Sequence, residues 1–152
     1  MHVKKVVLMS KFFLVNLIAS IMLFSLPSQA EQKAQLGNYE VHYVAFSSTF
    51  IPAEVAKIYG LQRSRYNGLI NITVLDSKSA NKAPVAVNIS GTARNLIGNQ
   101  KNLEFKEIRE GESIYYIAEL RHSNEETFRF KLTIDDGKSQ QLLEFQQKFY
   151  VD

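Results

Sequence analysis

Alternating apolar and polar residues recur along most of the chain, and this two-residue period predicts β-strands. The clearest run is Thr127–Ile134, in which Phe128, Phe130, Leu132 and Ile134 alternate with polar residues. We therefore predict that one face of this strand is buried and the other exposed. Similar runs predict further strands at Asn38–Ser48, Leu69–Leu75, Val85–Ser90, Asn102–Arg109, Ser113–Arg121 and Gln140–Val151.

One short segment between these runs has a different period. From Pro52 to Tyr59 the apolar residues follow helical spacing, with proline at the start and Gly60 directly after the end. We therefore predict a short helix near residues 52–59. A helix of this length is not stable alone, so we expect it to lie against the sheet as a lid.

The spacing of the strands predicts the fold class. About seven strands are separated by short turns, with no long helical segments between them. This pattern favours an all-β antiparallel β-sandwich of immunoglobulin-like type, or a related small barrel. With no internal repeat and no linker in the sequence, we predict one domain over residues 38–152, with residues 31–37 as a flexible tail.

The first 30 residues have the composition of a secretory signal peptide. Three lysines precede or begin the apolar run Phe12–Leu26, and the small residues Ser28 and Ala30 mark a cleavage site before Glu31. The apolar run is shorter than the roughly 20 residues that a membrane-spanning helix needs. We therefore expect export to the periplasm, cleavage after residue 30, and no stable membrane insertion afterwards.

Setting this leader aside changes the charge balance. The whole chain has 18 basic and 15 acidic residues, but the three basic residues in excess all lie in the leader. The remaining chain is formally neutral. Its composition therefore does not indicate a nucleic acid partner or binding to acidic lipid.

Several residue types that carry enzyme chemistry are missing after residue 30. That part has no cysteine, methionine or tryptophan, so we expect no disulfide, thiolate nucleophile, iron–sulfur cluster or soft-ligand copper site. His42 and His122 are far apart in sequence, and no glycine-rich phosphate loop or nucleophile motif is present. We therefore predict no metal, no cofactor and no recognisable catalytic residue.

Six segments of the chain match the pattern of a known family. They are Gly37–Tyr43, Ser48–Ala56, Tyr59–Ser64, Asn95–Gly98, Ile114–Tyr116 and Phe145–Tyr150. With these segments the chain resembles a family of short exported gammaproteobacterial proteins that is classed only as a domain of unknown function. The resemblance covers nearly all of residues 35–151. It implies an exported, periplasmic, β-rich domain, and it implies no activity, ligand or catalytic residue.

Six residues are candidates for binding a ligand or partner: His42, Tyr43, Arg63, Arg65, Tyr66 and Arg94. Two arginines and a tyrosine follow the predicted helix, where guanidinium groups can hold a carboxylate or phosphate and the ring can stack. His42 and Tyr43 lie on the first predicted strand, and Arg94 begins a loop. Each of these residues is also compatible with an ordinary surface role.

The leading functional prediction is a non-catalytic binding or interaction module of the cell envelope. Such a module binds another envelope protein through loops or a sheet edge. One alternative is a protein that binds a small anionic ligand, or an acid–base enzyme, with a site near Arg63, Arg65 and His42. Another is an accessory subunit of an envelope complex. Tyr115 and Ile117 form an exposed apolar patch unless the second sheet covers them.

Overall fold

The computed structural model describes residues 31–151, which form nine β-strands, one α-helix and one 3-10 helix. The predicted signal peptide, residues 1–30, lies outside the described residues. A 3-10 helix (Ser48–Phe50) and α1 (Ala53–Tyr59) connect the second strand to the third. The strands are β1 (Gln32–Leu36), β2 (Tyr39–Ser47), β3 (Asn67–Asp76), β4 (Asn88–Asn95), β5 (Gln100–Glu104), β6 (Lys106–Glu110), β7 (Ser113–Arg121), β8 (Glu126–Asp135) and β9 (Gln140–Phe149).

The strands form two antiparallel sheets. Sheet 1 has the order β1-β2-β3-β7-β6, and sheet 2 has the order β5-β4-β8-β9. Apart from β1, this arrangement is the immunoglobulin one, with strands ABED in one sheet and C′CFG in the other. The predicted β-sandwich is therefore confirmed, and β1 is an additional edge strand. Two separate sheets exclude the barrel alternative for this part of the chain.

The inward-facing residues of both sheets form the main core. Phe128, Phe130, Leu132 and Ile134 of β8 are at most 1% exposed, as the alternation predicts. The ring of Phe130 stacks on that of Phe145 from β9, with 4.6 Å between the ring centres. Burying each of these rings contributes roughly 1.5–3 kcal/mol, so the aromatic residues of β8 and β9 are a major source of stability.

Helix α1 covers part of the outer face of sheet 1, as predicted for a lid. Its buried residue Ala56 packs with Leu61 and with Leu69, which points outward from β3. Gly60 ends the helix in a left-handed conformation with φ of 63°. Ile117 on β7 packs against the same cluster. The outer face at Ile117 is therefore covered by α1 and its flanking residues, and not by the second sheet.

The segment predicted as a flexible tail forms β1 instead. Residues Gln32–Leu36 pair with β2 along their whole length, and Ala34 and Leu36 pack against the main core. Gly37, with φ of 58°, makes the tight turn into β2 possible. The burial of these two apolar side chains offsets the entropy lost when the segment becomes ordered.

The segment Asn102–Arg109, predicted as one strand, is divided between two sheets. Phe105 is the one residue between β5 of sheet 2 and β6 of sheet 1. Leu103 is buried in the main core, whereas Ile108 is buried on the outer face of sheet 1, opposite Tyr115. Ile108 departs from the apolar alternation because it is an outward-facing residue that is nevertheless buried.

The predicted strand Val85–Ser90 is also displaced, since β4 begins only at Asn88. Val85 and Val87 still contact the main core, and the Val87 N–H donates a 2.8 Å hydrogen bond to the Tyr116 hydroxyl. Gly91 pairs regularly with Leu103 of β5 and with Leu132 of β8. A Cβ atom at this glycine would lie 2.4 Å from the carbonyl oxygen of Lys131, so β8 approaches too closely for any side chain.

Candidate functional site

The six residues singled out from the sequence do not converge on one cavity. His42 lies on the outer face of sheet 1, where it pairs with Thr73. Residues 63–66 form the loop that directly precedes Asn67, the first residue of β3. Asn67 is six residues from Thr73 along β3, which corresponds to a distance of roughly 20 Å. Tyr43 points between the sheets, where its ring contacts that of Phe145 at a tilt, and Arg94 lies on sheet 2. The sequence candidates therefore belong to separate surfaces.

His42 belongs to a network of charged side chains. Its Nε2 atom lies 2.8 Å from a carboxylate oxygen of Glu40, and its Nδ1 atom lies 3.4 Å from one of Glu31. Lys82 contacts Glu40 at 2.8 Å. Hydrogen bonds from Lys82 and then from His42 lower the pKa of Glu40 to about 2. Both imidazole nitrogens of His42 are thus engaged by carboxylates of this chain.

The loop between α1 and β3 presents two arginines to solvent. Arg63 donates a 3.2 Å hydrogen bond from Nη2 to the carbonyl oxygen of Thr49. The Arg65 guanidinium lies 5.3 Å from the centre of the Tyr66 ring, which is a cation–π distance. Neither arginine forms an ion pair with a residue in the described part of the chain.

Buried polar side chains hold this loop in place. Ser48, which is 1% exposed, donates to the carbonyl oxygen of Ser64 at 3.0 Å and accepts from its N–H at 2.9 Å. Asn67 is also buried, and its amide donates to the Gln62 carbonyl oxygen and to the Glu119 carboxylate. Buried hydrogen bonds are costly to break, so the loop presents Arg63 and Arg65 on a fixed backbone.

One end of the sandwich has a distinctive apolar surface. At this end lie the 3-10 helix, the loop before β3, the β4–β5 turn, the β7–β8 turn and the residues after β9, and α1 extends from it over the outer face of sheet 1. We call this surface, including α1, the apolar end. Of the eight large apolar side chains that are exposed in residues 31–151, seven are on this surface: Phe50, Tyr66, Leu96, Ile97 and Tyr150 at the end itself, and Val55 and Ile58 on α1.

The β4–β5 turn carries the most exposed apolar side chain at this end. Leu96 is 64% and Ile97 is 84% exposed. The Asn95 side chain fixes the turn, since it accepts a 2.8 Å hydrogen bond from the Asn99 N–H and donates one of 2.9 Å to Glu126. Two apolar side chains are therefore displayed on an anchored turn.

The apolar end also has basic groups without an ion pair, while two of its carboxylates accept hydrogen bonds from uncharged donors. Glu119 accepts hydrogen bonds from the loop before β3, and Glu126 accepts from Asn95 and from the Ser123 N–H. Four basic residues at this end form no ion pair with a described residue: Lys57, Arg63, Arg65 and Arg121. The exposed apolar side chains are thus accompanied by basic side chains that have no carboxylate of the described residues within ion-pair distance.

The opposite end, which we call the charged end, consists of polar turns and the β3–β4 loop. Asp136 in the β8–β9 turn accepts hydrogen bonds from the Tyr39 hydroxyl and from the N–H groups of Lys138 and Ser139. These bonds, the one from Tyr39 above all, lower the pKa of Asp136 to about 2. Asp76 likewise accepts from the Lys78 N–H. The carboxylates of Asp76 and Asp136 are thus held by hydrogen-bond donors of this same end.

Arg94 lies at a concave part of sheet 2. It borders an open cavity of about 630 Å³ on the outward face, together with Arg129, Lys131 and Glu144. Arg129 and Lys131 are not among the residues singled out from the sequence. Alternation over Thr127–Ile134 predicts that both side chains point outward, but it does not show which strand lies beside them.

Neither a metal site nor a membrane-spanning helix is found within residues 31–151. No three side chains of histidine, cysteine, aspartate or glutamate in this range are grouped so that they could hold a metal ion. No helix in the same range is both long and apolar enough to cross a bilayer.

These features define an immunoglobulin-like β-sandwich with an added edge strand and an anchored lid helix. A family model described as a domain of unknown function, DUF4426, matches residues 33–152, and the chain belongs to this family. The crystal structure of a DUF4426 family protein from Pseudomonas aeruginosa PAO1 is 32% identical, with a TM-score of 0.72, and the match covers 82% of this chain and 98% of that chain. No curated protein matches this chain.

Two structures of FetP from uropathogenic Escherichia coli strain F11 share the fold at lower identity. A copper-bound variant is 13% identical with a TM-score of 0.56, and the match covers 79% of this chain and 95% of that chain. FetP as isolated after recombinant expression in the periplasm is 13% identical with a TM-score of 0.51, and the match covers 79% of this chain and 92% of that chain. At this identity, the likeness concerns the fold.

Proposed function

We propose that this protein is an exported, periplasmic binding module of the cell envelope that docks a partner protein on its apolar end. The observation that carries this proposal is the distribution of exposed apolar side chains: of eight, five lie at one end of the sandwich and two more on α1, which extends from that end. Single exposed apolar residues are normal on a protein surface, whereas their concentration is typical of an interaction site.

The N-terminal sequence supports the proposed export. Residues 1–30 have a basic start, an apolar run and a small-residue cleavage site, and β1 begins directly after the expected cut. FetP, which shares the fold, has been expressed in the periplasm. N-terminal sequencing of the protein recovered from cells is expected to begin at Glu31. A membrane-held form that still begins at Met1 would contradict cleavage.

The charges at the apolar end indicate the chemistry of the partner. Lys57, Arg63, Arg65 and Arg121 form no ion pair with a described residue. A partner that presents an apolar surface edged by carboxylates would complement both features. Arginine and tyrosine are also enriched at the centres of interfaces. Because buried hydrogen bonds already fix the loop before β3, little further ordering is needed on binding.

The positions of the titratable groups favour binding over catalysis. His42 is engaged by two carboxylates on the outer face of sheet 1. It is roughly 20 Å along β3 from the loop that carries Arg63 and Arg65. An acid–base enzyme needs such groups within hydrogen-bonding reach of one substrate, and these are separated.

Site-specific photo-crosslinking in cells tests the docking proposal. A crosslinking amino acid is placed at Ile58, Tyr66 or Ile97 of the apolar end. Control positions are Leu142, which is exposed on sheet 2, and Lys138 at the charged end. We expect one discrete protein adduct from at least two of the three apolar-end positions and none from the controls.

Charge reversal distinguishes a specific partner from chance capture. The double variant Arg63→Glu/Arg65→Glu is expected to abolish the adduct, whereas Lys138→Glu leaves it unchanged. Circular dichroism confirms that both variants are folded. Equal adduct yields from the control positions, no adduct from the apolar end, or an adduct that survives the double substitution would each contradict the proposal.

A further inference from the structure

The outward face of sheet 2 carries an open cavity whose lining comes from two adjacent rows of side chains. Each row runs across the sheet and consists of residues that are register partners on adjacent strands. The first row begins on β5 and the second on β4, and both end on β9. The first row consists of Gln100, Arg94, Arg129 and Gln146, and the second contains Thr92, Lys131 and Glu144. This surface is on a sheet face, and it meets the docking surface proposed above only where the Arg94 guanidinium lies against Gly98 of the β4–β5 turn.

The first row places two arginines directly opposite each other. Arg94 of β4 and Arg129 of β8 are register partners, and the Cβ atoms of such partners are roughly 5 Å apart. Like charges in this position destabilise a sheet. Neither guanidinium forms an ion pair with a described residue, and Arg129 Nε donates a long bond of 3.4 Å to Gln146. The chain itself therefore leaves this repulsion uncompensated.

The second row sets the net charge of the cavity. Lys131 lies 3.8 Å from Glu144, so these two side chains together are neutral. Two positive charges remain on Arg94 and Arg129. A phosphate monoester carries a charge of roughly −1.5 to −2 at neutral pH, and guanidinium groups bind its oxygens bidentately. The amides of Gln100 and Gln146 add hydrogen-bond donors at the two ends of the row.

We propose that this cavity binds a ligand bearing a phosphate monoester, with the phosphate held between Arg94 and Arg129. Binding relieves the repulsion between the two guanidinium groups, and the volume of about 630 Å³ leaves room for the organic part of the ligand. The amides of Gln100 and Gln146 flank the phosphate, and Lys131 lies beside it.

Titration of the folded protein with inorganic phosphate and with glycerol phosphate tests this proposal. Ionic strength is held constant with sodium chloride. We expect saturable binding by calorimetry or NMR, and a rise in the melting temperature as ligand is added, because a ligand that binds only the folded state stabilises it. Arg94→Gln and Arg129→Gln are each expected to weaken binding at least tenfold.

The matched control is Arg63→Gln, which removes the same group from a different surface and is expected to bind like the wild type. In phosphate-free buffer the two cavity variants should melt at or slightly above the wild-type temperature, since one of two opposed charges is gone. No saturable binding, equal binding by Arg94→Gln, or equal loss in the control overturns the proposal.

Vesicles containing phosphatidic acid identify the source of the phosphate, because this lipid carries the same monoester on a membrane. Cosedimentation of the wild type, but not of Arg94→Gln, indicates a lipid ligand. Binding to glycerol phosphate without cosedimentation indicates a soluble one. Binding to neither glycerol phosphate nor vesicles overturns the proposal.

Discussion

The two ends of the sandwich differ in how their charged side chains are partnered. At the charged end, Asp136 accepts hydrogen bonds from Tyr39 and from its own turn, and nearby Glu40 pairs with Lys82. At the apolar end, the carboxylates bind loop groups while Arg63 and Arg65 have no carboxylate partner among the described residues. The carboxylates of one end are therefore held within the chain, whereas the other end exposes apolar side chains together with arginines that form no ion pair with a described residue.

The difference between the ends arises in the connections, since the same strands lead to both. The charged end has tight turns, such as the one at Gly37 between β1 and β2. The apolar end contains α1 and the anchored loop that follows it. Short turns use their polar groups to close the backbone, whereas the longer connection at the apolar end buries Ala56 and leaves Ile58 exposed.

The largest effect is expected from a core residue beneath the apolar end. Phe149 is 4% exposed, stacks on His122 and contacts the rings of Phe128 and Phe130. Phe149→Ala should lower the free energy of unfolding by about 3–5 kcal/mol, measured by urea denaturation. Tyr150→Ala, at a half-exposed position, should change it by about 0.5 kcal/mol or less. Equal losses would show that the end of β9 is packed differently.

A smaller loss is expected when the lid helix is overpacked. Ala56 is 3% exposed and packs on Leu69, so Ala56→Leu should cost about 1–3 kcal/mol. The amides of α1 should exchange faster with deuterium while those of β8 stay protected. Val55→Leu, one residue away at a partly exposed position, is the control. If both variants keep wild-type protection in α1, the helix does not depend on this contact.

Lowering the pH should reduce stability through the charged end, with a smaller effect than the two substitutions above. Glu40 and Asp136 have pKa values of about 2, below their ordinary values of 4.5 and 3.8. Their ionised forms therefore stabilise the fold above about pH 4.5, and this contribution is lost as the pH falls towards 2. The variant Glu40→Gln/Asp136→Asn should show a flatter dependence of the urea midpoint on pH between 5 and 2. An acid limb as steep as that of the wild type would refute this assignment.

The smallest effect on stability is expected at the tip of the β4–β5 turn. Leu96→Ser and Ile97→Ser should each change the free energy of unfolding by about 0.5 kcal/mol or less, because both side chains are mostly exposed. The same substitutions should strongly reduce the crosslinked adduct obtained through Tyr66. Loss of stability together with loss of the adduct would mean that this turn supports the fold instead of a partner.

Sequence alternation predicted the half-buried strands well, because each has one face in the core and one in solvent. The bounds of β7 are those predicted, Ser113–Arg121. The division of β5 from β6 was not predictable in this way, since the inward phase of Leu103 and Phe105 continues at Glu107 and does not mark where the chain changes sheets. Nor was β1, which has few apolar residues and depends on pairing with β2.

The sites were harder to predict than the strands, because they depend on which strands are neighbours. His42 and Tyr43 are adjacent in sequence, yet one lies on the outer face of sheet 1 and the other between the sheets. Arg94 was selected from the sequence, whereas its partner Arg129 is distant in the chain and is brought opposite by the pairing of β4 with β8. Alternation indicates that a side chain points outward, but not what lies beside it.

The passage of the backbone through Phe105 has a mechanical consequence. Because a single residue joins β5 to β6, the two layers are covalently tied along that long side. The other long side is formed by β1 and β9, which are held together by side-chain packing. We expect the layers to part first along β1 and β9, pivoting on Phe105, so that water reaches the Tyr43–Phe145 ring pair before it reaches Leu103.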